Sequence, residues 1–159
     1  MLLWKHLEME EIFLMPISMT NEMMRAIIMD HYSNPIHKVA PKDDSYQRIH
    51  MHSDNCIDDI DVFVKFDNDV IVDACFTGIG CTISTASTDV MCELIIGKNK
   101  EEANYLIEQF MHMMHEEHFD EEALEEANAF VNTSKQAARI RCATIGWRAI
   151  DSIIKDENK

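Results

Sequence analysis

The sequence contains no long apolar run and few residues that break or redirect a chain. Only 4 glycines and 3 prolines occur among 159 residues, so no linker rich in these residues divides the chain and a single domain is expected. No apolar stretch approaches the roughly 18 residues that a membrane helix needs. Basic residues are also scarce, with 14 Lys and Arg against 29 Asp and Glu and a formal net charge of −15. Such a surface repels phosphate backbones, so nucleic acid is not expected as a partner.

The first twenty residues resemble nothing that follows, and residues 1–20 are predicted to form a helical or frayed extension. Charged residues such as Lys5, Glu8 and Glu10 interrupt them, so the apolar core of a signal peptide is missing and a cytoplasmic protein is expected. In a reducing compartment, cysteines indicate metal or redox chemistry more often than disulfides. The chain has five, namely Cys56, Cys75, Cys81, Cys92 and Cys142.

Hydrophobic periodicity predicts an α+β fold, in which a small antiparallel three-stranded sheet is covered by helices. A helix is expected from Asn21 to the stop signal Ser33-Asn34-Pro35. Residues 60–66 alternate apolar and polar side chains, and residues 70–76 return after a turn at Asp67-Asn68. Residues 47–52 are predicted to supply the third strand.

Helices are predicted for most of the remaining chain. A buried helix spans residues 83–95 and ends at Gly97, and Asn99 with Glu102 indicates a capping box for the next helix. The stretch around 98–130 is helical and acidic. In the final predicted helix the apolar residues Ile140, Ala143, Trp147, Ile150 and Ile154 follow 3-4-3-4 spacing. The domain is therefore predicted to cover residues 21–155.

Three cysteines and one aspartate lie where metal ligands could meet. Cys56 and Asp58 are two positions apart before a strand, Cys81 begins a helix after Gly78-Ile79-Gly80, and Cys142 follows Arg139 by three residues in the final helix. Three thiolates and a carboxylate suit tetrahedral zinc, and they also suit iron or a cluster with three sulfur ligands. Free cysteines are often simply buried, so spacing alone leaves a site and a structural role both open.

The other candidate residues favour structural roles. Cys75 and Cys92 are predicted to be core residues, and the twelve methionines are predicted to fill the core. The segment from His112 to His118 has histidines at i, i+3 and i+6. On a helix the first two would be neighbours, but the third would lie too far around the helix for all three to bind one ion easily. His50 and His52 are expected on the surface, although they could approach the cysteines, and the acidic run from Glu116 to Glu126 is expected to face solvent.

Four segments in this order resemble the SufU/IscU proteins of iron–sulfur cluster assembly, the family of the NifU-like N-terminal domain. They are Ile28-Met29-Asp30-His31-Tyr32-Ser33-Asn34-Pro35, Cys56-Ile57-Asp58, Gly78-Ile79-Gly80-Cys81-Thr82-Ile83-Ser84 and Ala138-Arg139-Ile140-Arg141-Cys142-Ala143-Thr144. The resemblance runs from about Asn21 to Ile154. Scaffold-type members carry a histidine before the final cysteine, where this chain has Arg141. The long acidic segment between Cys81 and Cys142 resembles the insertion of SufU-type members.

The resemblance to SufU implies both a metal site and an activity. It implies zinc held by Cys56, Asp58, Cys81 and Cys142, with Cys56 accepting persulfide sulfur from a SufS-type cysteine desulfurase. It also implies that Arg139 takes part in docking of the desulfurase. Sulfur would then pass to a downstream cluster scaffold or to apoproteins.

One departure from the family pattern and two rival functions remain at this point. Ile57 stands where the family has glycine, so the loop geometry can differ and Asp59 is the alternative carboxylate ligand. The same cysteines would also suit a non-enzymatic scaffold that holds a transient [2Fe–2S] cluster, or a structural zinc domain without sulfur transfer.

Overall fold

The computed structural model of the protein describes residues 19–54 and 56–157, and in these residues it forms five α-helices, one 3₁₀ helix and a three-stranded sheet. The α+β fold predicted from the sequence is confirmed. In chain order the elements are α1 Asn21–Ser33, β1 Gln47–His52, β2 Asp59–Asp67, β3 Val70–Ile79, α2 Thr82–Ile95, α3 Lys100–Met114, α4 Glu121–Leu124, the 3₁₀ helix Glu125–Lys135 and α5 Ala137–Glu157. Most of the predicted N-terminal extension, residues 1–18, lies outside the described residues.

The sheet is antiparallel in the order β1-β2-β3, and one of its faces is buried. Ile49 pairs with Val62, and Val62 pairs with Phe76, so these three side chains share one face. Val62 and Phe76 are fully buried, which explains the period-2 alternation of the sequence. The β2–β3 hairpin turns at Asn68, whose φ is 56°. Asparagine tolerates this left-handed conformation better than most residues.

Helix α2 is the central helix of the fold, since every residue from Ser84 to Cys92 is buried. Helix α1 packs on it, and so does α5, which also contacts β1 and β2. The crossing of α2 and α5 is close at Gly146, where an added Cβ would lie 2.7 Å from Thr88 Oγ1. Trp147 lies beside this crossing and donates its ring N–H to Ser87 Oγ at 3.0 Å. The two helices therefore have a fixed relative position.

A buried histidine connects α1, α2 and the 3₁₀ helix. His31 Nδ1 lies 2.7 Å from Asp89 Oδ2, and His31 Nε2 lies 2.6 Å from Glu126 Oε2. Asp89 is fully buried, and its other oxygen accepts the backbone N–H of His37 at 2.8 Å. Burial lowers the pKa of His31, but the hydrogen bonds and charges of the two carboxylates outweigh burial and raise the pKa overall. Glu126 belongs to the acidic run that was expected to face solvent. Its side chain is 54% exposed and also pairs with this histidine.

Most other local predictions agree with the structure. The capping box of Asn99 and Glu102 is present at the start of α3. Cys75 and Cys92 are buried, as expected of core residues.

Residues 98–130 contain helices, as predicted. Their assignment as an insertion relative to other family members stays a prediction. No helix in residues 19–54 and 56–157 is both long and apolar enough to cross a membrane.

Candidate metal centre

The first two candidate ligands lie in the loop that connects β1 to β2. His52 and Asp59 are the closing pair of that antiparallel ladder. The backbone N–H of Ser53 donates to the carbonyl of Asp58 at 3.0 Å, which closes the loop immediately beyond the strands. Cys56 in this loop is partly exposed, whereas the side chain of Asp58 points inward and the residue is 1% exposed.

The third candidate ligand, Cys81, is the N-cap of α2. Its sulfur accepts the backbone N–H of Ser84 at 3.4 Å, and its own backbone N–H donates to Asp58 Oδ1 at 2.9 Å. Gly80 precedes it at a point without room for a side chain, since an added Cβ would lie 2.5 Å from Ser84 Oγ. The free backbone N–H groups of a helix N-terminus surround this position, and one of them already contacts the sulfur.

The fourth candidate ligand, Cys142, comes from the second turn of α5. It is 3% exposed, and its sulfur lies 3.7 Å from the sulfur of Cys56. Burial raises the pKa of the Cys142 thiol, and the neighbouring Cys81 and Cys56 sulfurs raise it further. A cation bound beside Cys142 would oppose this shift and favour its ionised form.

The four donor atoms form one group that fits a metal ion. One atom from each of Cys56, Asp58, Cys81 and Cys142 lies within 4.8 Å of all the others. Asp58 Oδ2 is buried and accepts no hydrogen bond from any residue that the structure describes. A buried polar atom without a partner is costly unless something satisfies it, and a cation would do so. Three sulfurs and one oxygen are a donor set that zinc accepts in tetrahedral sites.

The loop around Ile57 shows why Asp58 and not Asp59 joins this group. The described non-glycine residues with positive φ are Asn68, Glu116 and Glu125. Ile57 therefore keeps an ordinary φ, and the loop closes without the glycine of the family pattern. Asp59 belongs to β2, and its 55% exposed side chain lies 2.9 Å from the Nε2 atom of His50. It therefore points away from the cysteines. The ligand roles themselves remain predictions.

The remaining candidates are placed around the group or away from it. Arg139 and Arg141 are exposed at the start of α5, on the approach to Cys142. Burial raises the pKa of the Cys75 thiol to about 11 and raises that of Cys92 strongly, so neither is suited to act as a thiolate. Helix α3 ends at Met114, so of the three spaced histidines His112 lies in it and His115 and His118 follow it. In the described part of the chain, neither these histidines nor those of β1 belong to a second metal-binding group.

Sequence reasoning missed one residue of the site, Ser84. It is buried, and its hydroxyl donates to Asp58 Oδ1 at 2.7 Å. A serine three residues after a helix cap is usually interpreted as local capping chemistry. The signal that was available is its position, because the third residue of a helix that begins at a ligand lies beside that ligand.

Comparison with known proteins gives a family and several named relatives. The family model described as the NifU-like N-terminal domain matches residues 23–156. The iron–sulfur cluster assembly scaffold protein IscU of Streptococcus pyogenes serotype M1 is 37% identical over 142 residues, which are 89% of this chain and 88% of that protein. The zinc-dependent sulfurtransferase SufU of Bacillus subtilis strain 168 is 37% identical over 134 residues, which are 84% and 90% of the two chains.

A solved structure supports the same grouping at the level of the fold. It is a crystal structure described as a candidate iron–sulfur cluster assembly scaffold protein for the SUF system from Fervidobacterium islandicum AW-1. The TM-score is 0.74 at 34% sequence identity, and the match covers 79% of this chain and 91% of that chain. The sheet and the helices that carry the candidate ligands therefore belong to an arrangement already seen in a crystal.

Proposed function

The chain belongs to the family of the NifU-like N-terminal domain, and we propose that it is a zinc-dependent sulfurtransferase of iron–sulfur cluster assembly that accepts persulfide sulfur on Cys56. One observation carries this proposal. Three thiols and one carboxylate, drawn from two loops and a helix, have donor atoms within 4.8 Å of one another. The name of the Bacillus subtilis relative, which describes a zinc-dependent sulfurtransferase, supports the same activity.

Cys56, Asp58, Cys81 and Cys142 are the residues that would hold the zinc ion. Bound zinc keeps thiols ionised at neutral pH and does not oxidise them, because it has no redox chemistry of its own. The chain contributes a site that is buried on the side of Asp58 and Cys142 and partly open on the side of Cys56 and Cys81. A sulfur donor can therefore approach from one side only.

Cys56 is the residue we assign as the sulfur acceptor. It is partly exposed and lies on a loop, whereas Cys81 caps a helix and Cys142 is buried in one. As a thiolate, Cys56 attacks the terminal sulfur of a persulfide on the donor enzyme. A new sulfur–sulfur bond forms on Cys56, the sulfur–sulfur bond of the donor breaks, and the donor cysteine leaves as a thiolate. The exchange consumes no oxidant or reductant.

The sulfur donor in this proposal is a SufS-type cysteine desulfurase, and Arg139 helps to dock it. Arg139 is exposed and lies one turn before Cys142 on α5. Its guanidinium can form paired hydrogen bonds with a carboxylate of the partner. The sulfur would pass onward to the cluster assembly machinery or to apoproteins.

A scaffold that carries a [2Fe–2S] cluster as cargo is the second candidate function. Three sulfur donors beside a partly open surface also suit iron, and the Streptococcus pyogenes relative bears the name of a scaffold protein. Arg141 directly precedes Cys142, where scaffold-type members carry histidine, and this favours sulfur transfer.

The test combines metal analysis with desulfurase kinetics. Protein purified without added iron is expected to be colourless with one zinc per chain. It should accelerate alanine formation by the desulfurase and gain one sulfur atom on Cys56, as seen by mass spectrometry. Cys56→Ser should abolish this acceleration, because a serine hydroxyl is neither ionised nor comparably nucleophilic.

Matched variants separate catalysis from folding. Cys75→Ala, which alters a buried cysteine, should accelerate the desulfurase like the wild type. Arg139→Ala should keep its zinc but accelerate the desulfurase less, whereas Lys135→Ala, which removes a nearby exposed charge, should have little effect. If Cys56→Ser accelerates the desulfurase fully, sulfur transfer to Cys56 is wrong. A brown protein that carries a cluster would favour the scaffold.

A further inference from the structure

Ser84 contacts two of the four candidate ligands from the first turn of α2. Its side chain is buried at 1% exposure. The hydroxyl lies 2.7 Å from Asp58 Oδ1 and 3.2 Å from the carbonyl oxygen of Cys81. Because a hydroxyl has one proton, and because a bond to a charged carboxylate is the shorter and stronger of the two, the proton is donated to Asp58.

The two oxygens of the Asp58 carboxylate have different surroundings. Oδ1 accepts two hydrogen bonds, one from the Ser84 hydroxyl and one from the backbone N–H of Cys81 at 2.9 Å. Oδ2 is buried and accepts none from the described residues. The donors thus engage one oxygen and leave the other available within the group of cysteine sulfurs.

We propose that Ser84 is a positioning residue of the metal site, which holds Asp58 by Oδ1 so that Oδ2 alone is presented to the metal. This inference rests on the proposed zinc site. Partners of this kind fix the orientation of metal ligands, and their loss typically weakens metal affinity by about 10–100-fold. Without the hydroxyl, the carboxylate keeps only the Cys81 N–H and can rotate away from the orientation seen here.

Gly80 leaves the space that this hydrogen bond needs. An added Cβ at this position would lie 2.5 Å from Ser84 Oγ and 3.6 Å from Asp58 Oδ1. Glycine here therefore serves the approach of the serine hydroxyl. Gly80→Ala displaces the hydroxyl without removing it, which provides a second perturbation of the same contact.

The chain also offers a matched control in Ser87, one turn further along α2. Ser87 is as buried as Ser84, donates its hydroxyl to the carbonyl of Ala143 at 2.6 Å and accepts the ring N–H of Trp147 at 3.0 Å, so it bonds to none of the candidate ligands. Loss of that hydroxyl weakens packing between α2 and α5. It removes no contact to Asp58 or Cys81.

The experiment measures zinc affinity of the full chain by competition with a chromogenic chelator. Ser84→Ala and Gly80→Ala are each expected to bind zinc about 10–100-fold more weakly than the wild type, and Ser87→Ala to bind it like the wild type. Melting temperatures of the chelated proteins separate any loss of packing from the loss of affinity. Substituted cobalt should keep its sulfur-to-metal charge-transfer band in Ser84→Ala, since the three thiols remain.

A double-mutant cycle tests whether Ser84 acts through Asp58. In an Asp58→Ala background, Ser84→Ala should cause no further loss of zinc affinity. Equal losses in Ser84→Ala and Ser87→Ala, or no loss in Ser84→Ala, would overturn the positioning role while leaving the proposed function intact. A wild-type protein that binds no zinc would overturn both.

Discussion

Gly146→Ala tests whether the crossing of α2 and α5 is as rigid as the structure indicates. The added methyl carbon would lie 2.7 Å from Thr88 Oγ1 and 2.9 Å from Thr88 Cγ2, which is closer than real contacts allow. Overpacking of a buried site costs about 1–3 kcal/mol. Alanine is favoured over glycine inside a helix by about 1 kcal/mol. The expected net loss in the free energy of unfolding is therefore about 1 kcal/mol, or roughly 2–4 °C in melting temperature for a chain of this size.

The sign of this effect should reverse when Thr88 is shortened. Thr88→Ala alone removes a buried methyl group and a hydroxyl that donates to the carbonyl of Ser84 at 2.7 Å, and should cost about 1–2 kcal/mol. In that background the methyl group of Ala at position 146 enters the vacated space and the preference of the helix for alanine remains, so Gly146→Ala should stabilise by about 1 kcal/mol. The coupling energy of the cycle is then about 2 kcal/mol, within the range typical of residues in direct contact.

Urea unfolding of the four proteins in the presence of a chelator gives the cycle without a contribution from metal. If Gly146→Ala stabilises the otherwise unchanged protein, the two helices can move apart freely and the reasoning is wrong.

Three further predictions concern metal, cysteines and pH. Removal of zinc with a chelator should lower the melting temperature by several degrees, because the free energy of metal binding adds to that of folding, and a shift within one degree would contradict this. Cys75→Ala and Cys92→Ala should keep one zinc per chain at a cost of about 1–2 kcal/mol in stability, so loss of zinc in either would reassign the ligands. His31 has a raised pKa because Asp89 and Glu126 outweigh burial, so its charge stabilises the fold below the unfolded value of 6.5, and this contribution is lost as pH rises through the folded value. The stability difference between the wild type and His31→Gln should thus be largest below pH 6.5 and shrink as the pH rises above it, and a constant difference in urea unfolding would refute the link.

Local sequence patterns predict most strands and helices well, because each has one buried face and its apolar residues therefore repeat with the period of that element. The alternation in β2 and the capping box of Asn99 and Glu102 are short-range signals, and the structure contains both features. The sequence predicts helix as far as about residue 130, but it does not predict the 3₁₀ form of Glu125–Lys135. Three of its buried residues, Ala127, Phe130 and Thr133, recur every three positions, which is the period of a 3₁₀ helix and departs from the 3.6-residue period of an α-helix. Glu125 adopts a φ of 45° at its start, which no local pattern in the sequence indicates.

The candidate site was only partly accessible to sequence reasoning, because its members are distant in the chain. Asp58 and Cys81 are 23 positions apart, and no spacing rule connects them. Local position makes Cys56, Cys81 and Cys142 candidates, and only the family resemblance favours a shared site over a structural role. The role of Ser84 is visible only in the hydrogen bonds of Asp58. The pairing of His31 with Asp89, which connects α1 to α2, likewise depends on how the helices pack. No local pattern around either residue predicts this pairing.

The sulfurs of Cys56 and Cys142 are 3.7 Å apart in space but belong to residues 86 positions apart in the chain. A ribosome that adds about 5–20 residues per second needs ~4–17 s to pass from one to the other. Throughout that interval the growing chain has at most three of the four donors, since α5 has not yet been made. A nascent chain therefore cannot complete the site, and metal loading follows synthesis of the domain.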